Sequence, residues 1–325
     1  MSQDNITANN KRIPYIDVAK GLLILLVVYD HLPDIYIYKL MLFNTHIIQL
    51  DNWQWIYKLY FMPAFFCITG ICSNFSVNFF PFLKKNFKSL ILPNILLGLL
   101  LNNDWGGAIL RGGSFWFLSA LFVAKLLYWI LYTKFSNNFI IRFSFLIVLT
   151  FIGFALNGIP SRYDIYFFHY AFCLVIFLEI GRLINTFKNI YLFLTSILYV
   201  ILCFTMFFAE IHKPVVALGC NCTVVEIPLY LVSATTGSCL ILLLAKKIKE
   251  NKILQFFGVS SLTFYIFQFK VMYVLENSYL KYYIIHNWCS TLCFVLIIYV
   301  TSVWFLSIIS YIINTKYLSF LIGKF

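Results

Sequence analysis

Charge is what this sequence has least of. Lys, Arg, Asp and Glu make up 11% of its 325 residues, against about a quarter in an average soluble domain. Only 12 acidic residues and 5 histidines occur, so side chains able to move protons are few and their positions are informative. No polar stretch is long enough to form a second, water-soluble domain. No glycine-rich phosphate loop is present, which excludes that route to nucleotide binding. Metal-ligand spacing is also missing. Cys220 and Cys222, in GCNCT, are too few for a zinc site, and their single intervening residue would strain a disulfide. The opening residues, MSQDNITANNKR, lack the apolar core and small-residue cleavage site of a signal peptide, so the N-terminus is expected to be retained.

What the sequence has is apolar. Hydrophobic residues reach 62%, Phe occurs 36 times, and mean hydropathy is +0.87. A bilayer core takes about 20 apolar residues per helix. The chain therefore reads as an all-α polytopic membrane protein, a single domain over residues 1–325 with a polar tail at 1–13. Apolar runs predict about ten membrane helices, at 14–36, 54–76, 89–103, 115–133, 139–157, 163–181, 189–208, 223–245, 258–277 and 286–314. An even count puts both termini on one side. That side collects fifteen basic residues, among them Lys84, Lys85, Lys88, Arg142, Arg182, Lys246 and Lys247. The opposite side has five: Lys39, Arg111, Arg162, Lys213 and Lys281. The positive-inside rule then places both termini in the cytoplasm of a multi-pass protein of the inner (cytoplasmic) cell membrane. The net charge of +12 is scattered between spans, so it reports topology and excludes a nucleic-acid-binding face.

Against that background, the stretch AKGLLILLVVYDH, residues 19–31, carries a lysine and a histidine in an otherwise lipid-compatible run. Ionisable residues in a membrane span face a bundle interior or a cavity and mark function. Lys20 and His31 are three helical turns plus about 20° apart, so they share a face at depths differing by about 16 Å. Asp30 and Asp34 flank the histidine, and a carboxylate beside an imidazole fixes its tautomer and raises its basicity. Three further stretches stand out. FMPAFFCITG, 61–70, offers Pro63 to bend or open the helix, the Thr69 hydroxyl, and Gly70 for close approach. FLKKNFKSLILP, 82–93, gathers Lys84, Lys85 and Lys88, three cations able to grip phosphates. GGSFWFLSALF, 112–122, presents Trp116 as either a membrane-interface residue or a platform for a sugar ring.

In order and spacing, YIDVAKGLLILLVVYDH (15–31), FMPAFFCITG (61–70), KKNFKSLILP (84–93), FWFLSALF (115–122) and FGVSSLTFYIF (257–267) resemble the acyltransferase family 3 membrane O-acyltransferases, in particular their compact sugar O-acetylase branch. In that family a basic residue, ten intervening residues and a histidine mark the first helix, and Lys20 and His31 fit. Phe65, Phe66, Thr69 and Gly70 match a Phe-Phe-x-x-Ser-Gly motif with threonine for serine. Lys85 and Lys88 occupy the place of a basic pair associated with the acyl-CoA donor, where arginine is usual. A late histidine of the family is Gln268 here, so no acid or base role carries over to it.

The resemblance implies an acyl-CoA-dependent O-acyltransferase that moves an acyl group, acetyl by expectation, to a hydroxyl of a cell-surface or lipid-linked carbohydrate. Acetyl-CoA would be a co-substrate, with no tightly bound cofactor and no metal. His31 would be the catalytic base, with Asp30 or Asp34 orienting it. Lys20, Lys84, Lys85, Lys88, Thr69 and Gly70 would hold the donor, and Trp116 the acceptor. Two rival readings rank below acyl transfer. One is a non-enzymatic carrier or flippase for lipid-linked sugars, which would need no cluster of donor-binding cations. The other is a membrane glycan polymerase or ligase, which normally brings a long outer loop where the outer loops here are short.

Overall fold

The computed structural model describes residues 12–39, 53–102, 113–156, 165–208, 226–279, 288–315 and 318–323. The described residues form helices and turns, with no strand among them. In chain order the helices are α1 (Pro14–Lys39), α2 (Trp55–Lys58), α3 (Phe61–Cys72), α4 (Phe79–Asn86), α5 (Leu92–Asn102), α6 (Trp116–Lys134) and α7 (Phe139–Ala155). They continue as α8 (Phe168–Leu174), α9 (Ile176–Asn185), α10 (Asn189–Phe208), α11 (Glu226–Ile248), α12 (Lys252–Val259), α13 (Ser261–Tyr279) and α14 (Trp288–Ile313).

Five helical segments among the described residues are long and apolar enough to cross a membrane, or up to seven if each bent pair of helices is one span. The protein is accordingly an integral membrane protein. Lipid explains its outer surface. Leu194, Ile197, Ile201 and Phe204 of α10, with Leu296, Val300 and Trp304 of α14, are exposed apolar side chains on long helices, a pattern that suits hydrocarbon and not water.

The interior is organised around α1, which packs against α3, α11, α12, α13 and α14. Two close crossings set the geometry. At the first, a Cβ on Gly21 would lie 2.1 Å from the Leu254 carbonyl oxygen, and one on Gly258 1.9 Å from that of Asp17. At the second, a Cβ on Gly70 would lie 2.1 Å from the Leu178 oxygen, and one on Gly181 2.0 Å from that of Cys67. Each pair has a glycine on both helices, and this lets backbones touch where lipid supplies no hydrophobic drive for association.

The helix breaks add detail to the sequence reading at several places. Pro63 does not bend a long helix. It sits in the first turn of α3, where a missing N–H costs nothing, and the break precedes it at Leu59 and Tyr60. The third predicted helix begins ten residues earlier than 89, with α4, and reaches α5 through a π-helical turn, Phe87–Ile91. Pro93 accounts for that turn: it cannot donate to the Ser89 carbonyl, and its ring pushes that carbonyl aside. Finally, α12 and α13 meet at 77° around the buried Ser260. Asn251 starts α12 by accepting hydrogen bonds from the amides of Ile253 and Leu254 at 3.1 and 3.0 Å.

Candidate active site

A cavity of about 220 Å³ opens between α1, α3, the π-helical turn, α6 and α13. Lys20, Ile24 and Val27 of α1 line it, with Met62, Phe65 and Thr69 of α3. These α1 positions form one stripe, and a further four residues along it is His31. Most of the wall is apolar, so the Lys20 ammonium stands out. Asp17, the carboxylate one turn earlier, pairs instead with Arg12 at 2.5 Å. Among the described residues Lys20 has no ion-pair partner. Thr69 donates its hydroxyl hydrogen to the Phe65 carbonyl at 2.9 Å, which leaves the oxygen's lone pairs facing other groups.

The opposite wall is held by polar side chains that replace missing backbone partners. The first amides of α6 have no intrahelical acceptor. The Phe115 amide donates to Asn94 Oδ1 at 3.0 Å, and the Phe117 amide donates to the Tyr265 hydroxyl at 3.3 Å. Asn94 Nδ2 in turn donates to the Phe115 carbonyl at 3.0 Å and to Ser119 Oγ at 2.8 Å. Gly113, at a φ of +116°, makes room: a Cβ there would lie 2.2 Å from Asn94 Oδ1. Gly113, Asn94 and Ser119 thus form a clamp beside Phe117, Leu118 and Leu121 of the cavity wall.

Farther along α1, the His31 ring packs on Phe269 with centroids 4.5 Å apart. Asp30 is buried and its carboxylate lies 3.4 Å from the Lys58 ammonium. Asp34 lies outside the residues whose side chains are described, as do Cys220 and Cys222. Gln268, beside Phe269, is fully buried, and neither end of its amide has a hydrogen-bond partner among the described residues. An unsatisfied buried amide is costly, and this one is three residues beyond Tyr265 of the cavity wall.

Of the donor-site residues read from sequence, Lys20 and Thr69 share the cavity. Gly70 turns away from it to the α9 crossing. Lys84 and Lys85 end α4, Lys88 lies in the π-helical turn, and all three are exposed. Lys85 and Lys20 are both within electrostatic range of Lys125, a residue of α6. The Lys125 ammonium also sits 5.9 Å from the centre of the Phe82 ring. Trp116 is not among the residues lining the cavity but packs at a 45° tilt on Tyr170, with ring centroids 4.8 Å apart, next to Phe117, which does line it. Tyr170 belongs to a strained corner, where Tyr166 and Phe167 have φ of 52° and 54°. No group of three metal-ligating side chains occurs among the described residues.

A cavity walled by apolar groups, with one unpaired cation near one end and an imidazole farther along the same helix face, can hold a long flexible ligand that has an anionic end and a reactive end. In comparisons with known proteins, a family model described as an acyltransferase domain matches residues 13–310. No curated protein and no solved structure matches the chain.

Proposed function

The chain belongs to acyltransferase family 3, and from that premise we propose that it transfers an acyl group, acetyl first among them, from acyl-CoA to a hydroxyl of a cell-surface or lipid-linked carbohydrate. The observation that carries this reading is the unpaired Lys20 in an apolar cavity that follows the α1 stripe toward His31. Lys20, Lys125 and Lys85 form a path of positive charge for the donor's phosphates, with Lys84 and Lys88 at its exposed margin. Thr69 and the apolar wall accept the pantetheine arm. The thioester is carried toward His31, about 16 Å along the helix from Lys20.

At that depth His31 acts as general base. It takes the proton of the sugar hydroxyl as that oxygen attacks the thioester carbonyl carbon, and CoA leaves as a thiolate that is protonated in turn. Phe269 limits the orientations of the imidazole, and Asp30 or Asp34 supports the protonated ring. Gln268 offers a hydrogen bond without acid or base chemistry. Trp116 serves as the acceptor platform.

The test is release of free CoA from acetyl-CoA by purified protein in nanodiscs, with and without a mixed sugar-acceptor extract. Release that depends on both the extract and His31 is expected, with His31→Ala lowering it about 10²- to 10⁴-fold. Equal release by wild type and His31→Ala would remove the imidazole from this role. Absence of acyl-CoA binding would overturn the reading as a whole.

A further inference from the structure

A second cavity, of about 280 Å³, lies at the C-terminal end of α3. Its character is opposite. Ser73, Asn74 and Ser76 of the segment after α3, Tyr132 of α6, and Arg182 and Asn185 of α9 line it. Among the described residues no acidic side chain does.

The charge balance of its surroundings is positive. Glu179, one turn before Arg182, is buried and receives both Nη2 and Nε of Arg142, at 2.7 and 3.1 Å, with the Tyr128 hydroxyl as a third donor. That carboxylate is committed to Arg142. Among the described residues Arg182 has one hydrogen bond, from Nη2 to the Tyr132 hydroxyl at 3.3 Å, and it lies 4.3 Å from the centre of that ring. A guanidinium has five N–H donors, so most of this fork remains available to the cavity.

The cavity is also built in advance. Phe75 is buried against Phe82, Tyr128 and Tyr132, and Trp129 Nε1 holds the Val77 carbonyl at 2.9 Å. Asn74 Oδ1 accepts the Ser76 amide at 2.9 Å. These contacts fix the segment that supplies the serines. The same aromatic residues join the two cation sites: Lys125 contacts the Phe82 ring, Phe82 touches Phe75, Phe75 touches Tyr132, and Tyr132 carries Arg182.

The geometry points to a binding site for a phosphate monoester in this second cavity, with Arg182 as its bidentate anchor and Ser73, Ser76 and Asn185 as neutral partners. An arginine fork matches phosphate oxygens in pairs, and the volume suits a phosphate with part of its attached sugar or glycerol. Two sources carry that group. One is the 3′-phosphate of CoA, an assignment that rests on the proposed donor. The other is the headgroup of an anionic lipid such as phosphatidate.

The experiment measures binding of CoA and dephospho-CoA to the full chain in nanodiscs of neutral lipid, and retention of phosphatidate by native mass spectrometry. Both are done for wild type, Arg182→Gln and Asn185→Asp, the last placing an anion on the exposed wall without touching the arginine. If CoA is the source, wild type prefers CoA over dephospho-CoA by about tenfold or more. Both variants then lose that preference while binding dephospho-CoA as wild type does. If lipid is the source, CoA and dephospho-CoA bind alike, and phosphatidate retention falls in both variants. Phosphatidate retention that depends on Arg182, in a protein that binds no CoA at all, would sink the donor reading and keep this site. CoA preference and phosphatidate retention unchanged in both variants would overturn it.

Discussion

Two groups of cations lie close together at one end of this bundle, and they are treated in opposite ways. Arg142 is buried, forked onto Glu179, and further bonded to the carbonyls of Phe135 and Ser136 at 2.9 and 3.3 Å. Lys20, Lys85 and Lys125 have no carboxylate partner among the described residues, and Lys20 lines an apolar cavity. A buried charge that is paired and hydrogen-bonded holds a structure together. One left unpaired beside a cavity is unfavourable until something anionic arrives. The difference separates cations that serve folding from cations that serve a ligand.

The strongest way to break this contrast is Glu179→Gln, which leaves the Arg142 guanidinium buried without its counter-charge. Loss of one partner of a buried pair costs about 3–5 kcal/mol. Thermal unfolding in detergent should therefore show a large loss of stability, and the double variant with Arg142→Gln should recover part of it. An unchanged midpoint for Glu179→Gln would deny the pair a structural role.

Next in size is Lys20→Met. Removing an uncompensated charge from an apolar cavity should leave the unfolding midpoint at or above that of wild type, while acetyl-CoA binding by calorimetry weakens about 10- to 100-fold. Destabilisation with intact binding would reverse the assignment of the two groups. Lys125→Gln should have the same sign and a smaller magnitude, roughly three- to tenfold in affinity, together with a shallower dependence on ionic strength. The smallest effect is expected from Lys84→Gln, exposed on the last turn of α4. A change of about twofold or less there, against larger ones at Lys20 and Lys125, would show that position relative to the cavity matters more than the number of lysines.

Long apolar runs made most of the helices legible in the sequence, because composition alone reports segments that suit lipid. The breaks were less legible. Pro63 is compatible with a bend or an opening, and only the structure places it in a helix's first turn; the turn at Ser260 accompanies the crossing of α12 over α1 at Gly21 and Gly258, a contact between distant segments. At the candidate site, Lys20 and Thr69 were readable from a familiar order of motifs and do share a cavity. Lys125 was not, since a lysine within a run of Leu and Tyr looks like any residue at the edge of a span. Arg142 and Arg182 were counted as topology signals. Only the structure separates the one that Glu179 neutralises from the one that keeps its fork open.

The position of α12 has a consequence for the order of events during synthesis. The helix that carries Lys20 and His31 is made more than 200 residues before Gly258, the glycine that seats it. Until α12 and α13 emerge, the first helix must wait in or beside the bilayer with its ionisable residues uncovered and one wall of the cavity missing. Contacts between segments so far apart in the chain form late. A polypeptide stopped short of residue 252 would keep every basic residue of the proposed donor path and still have no pocket for them to serve.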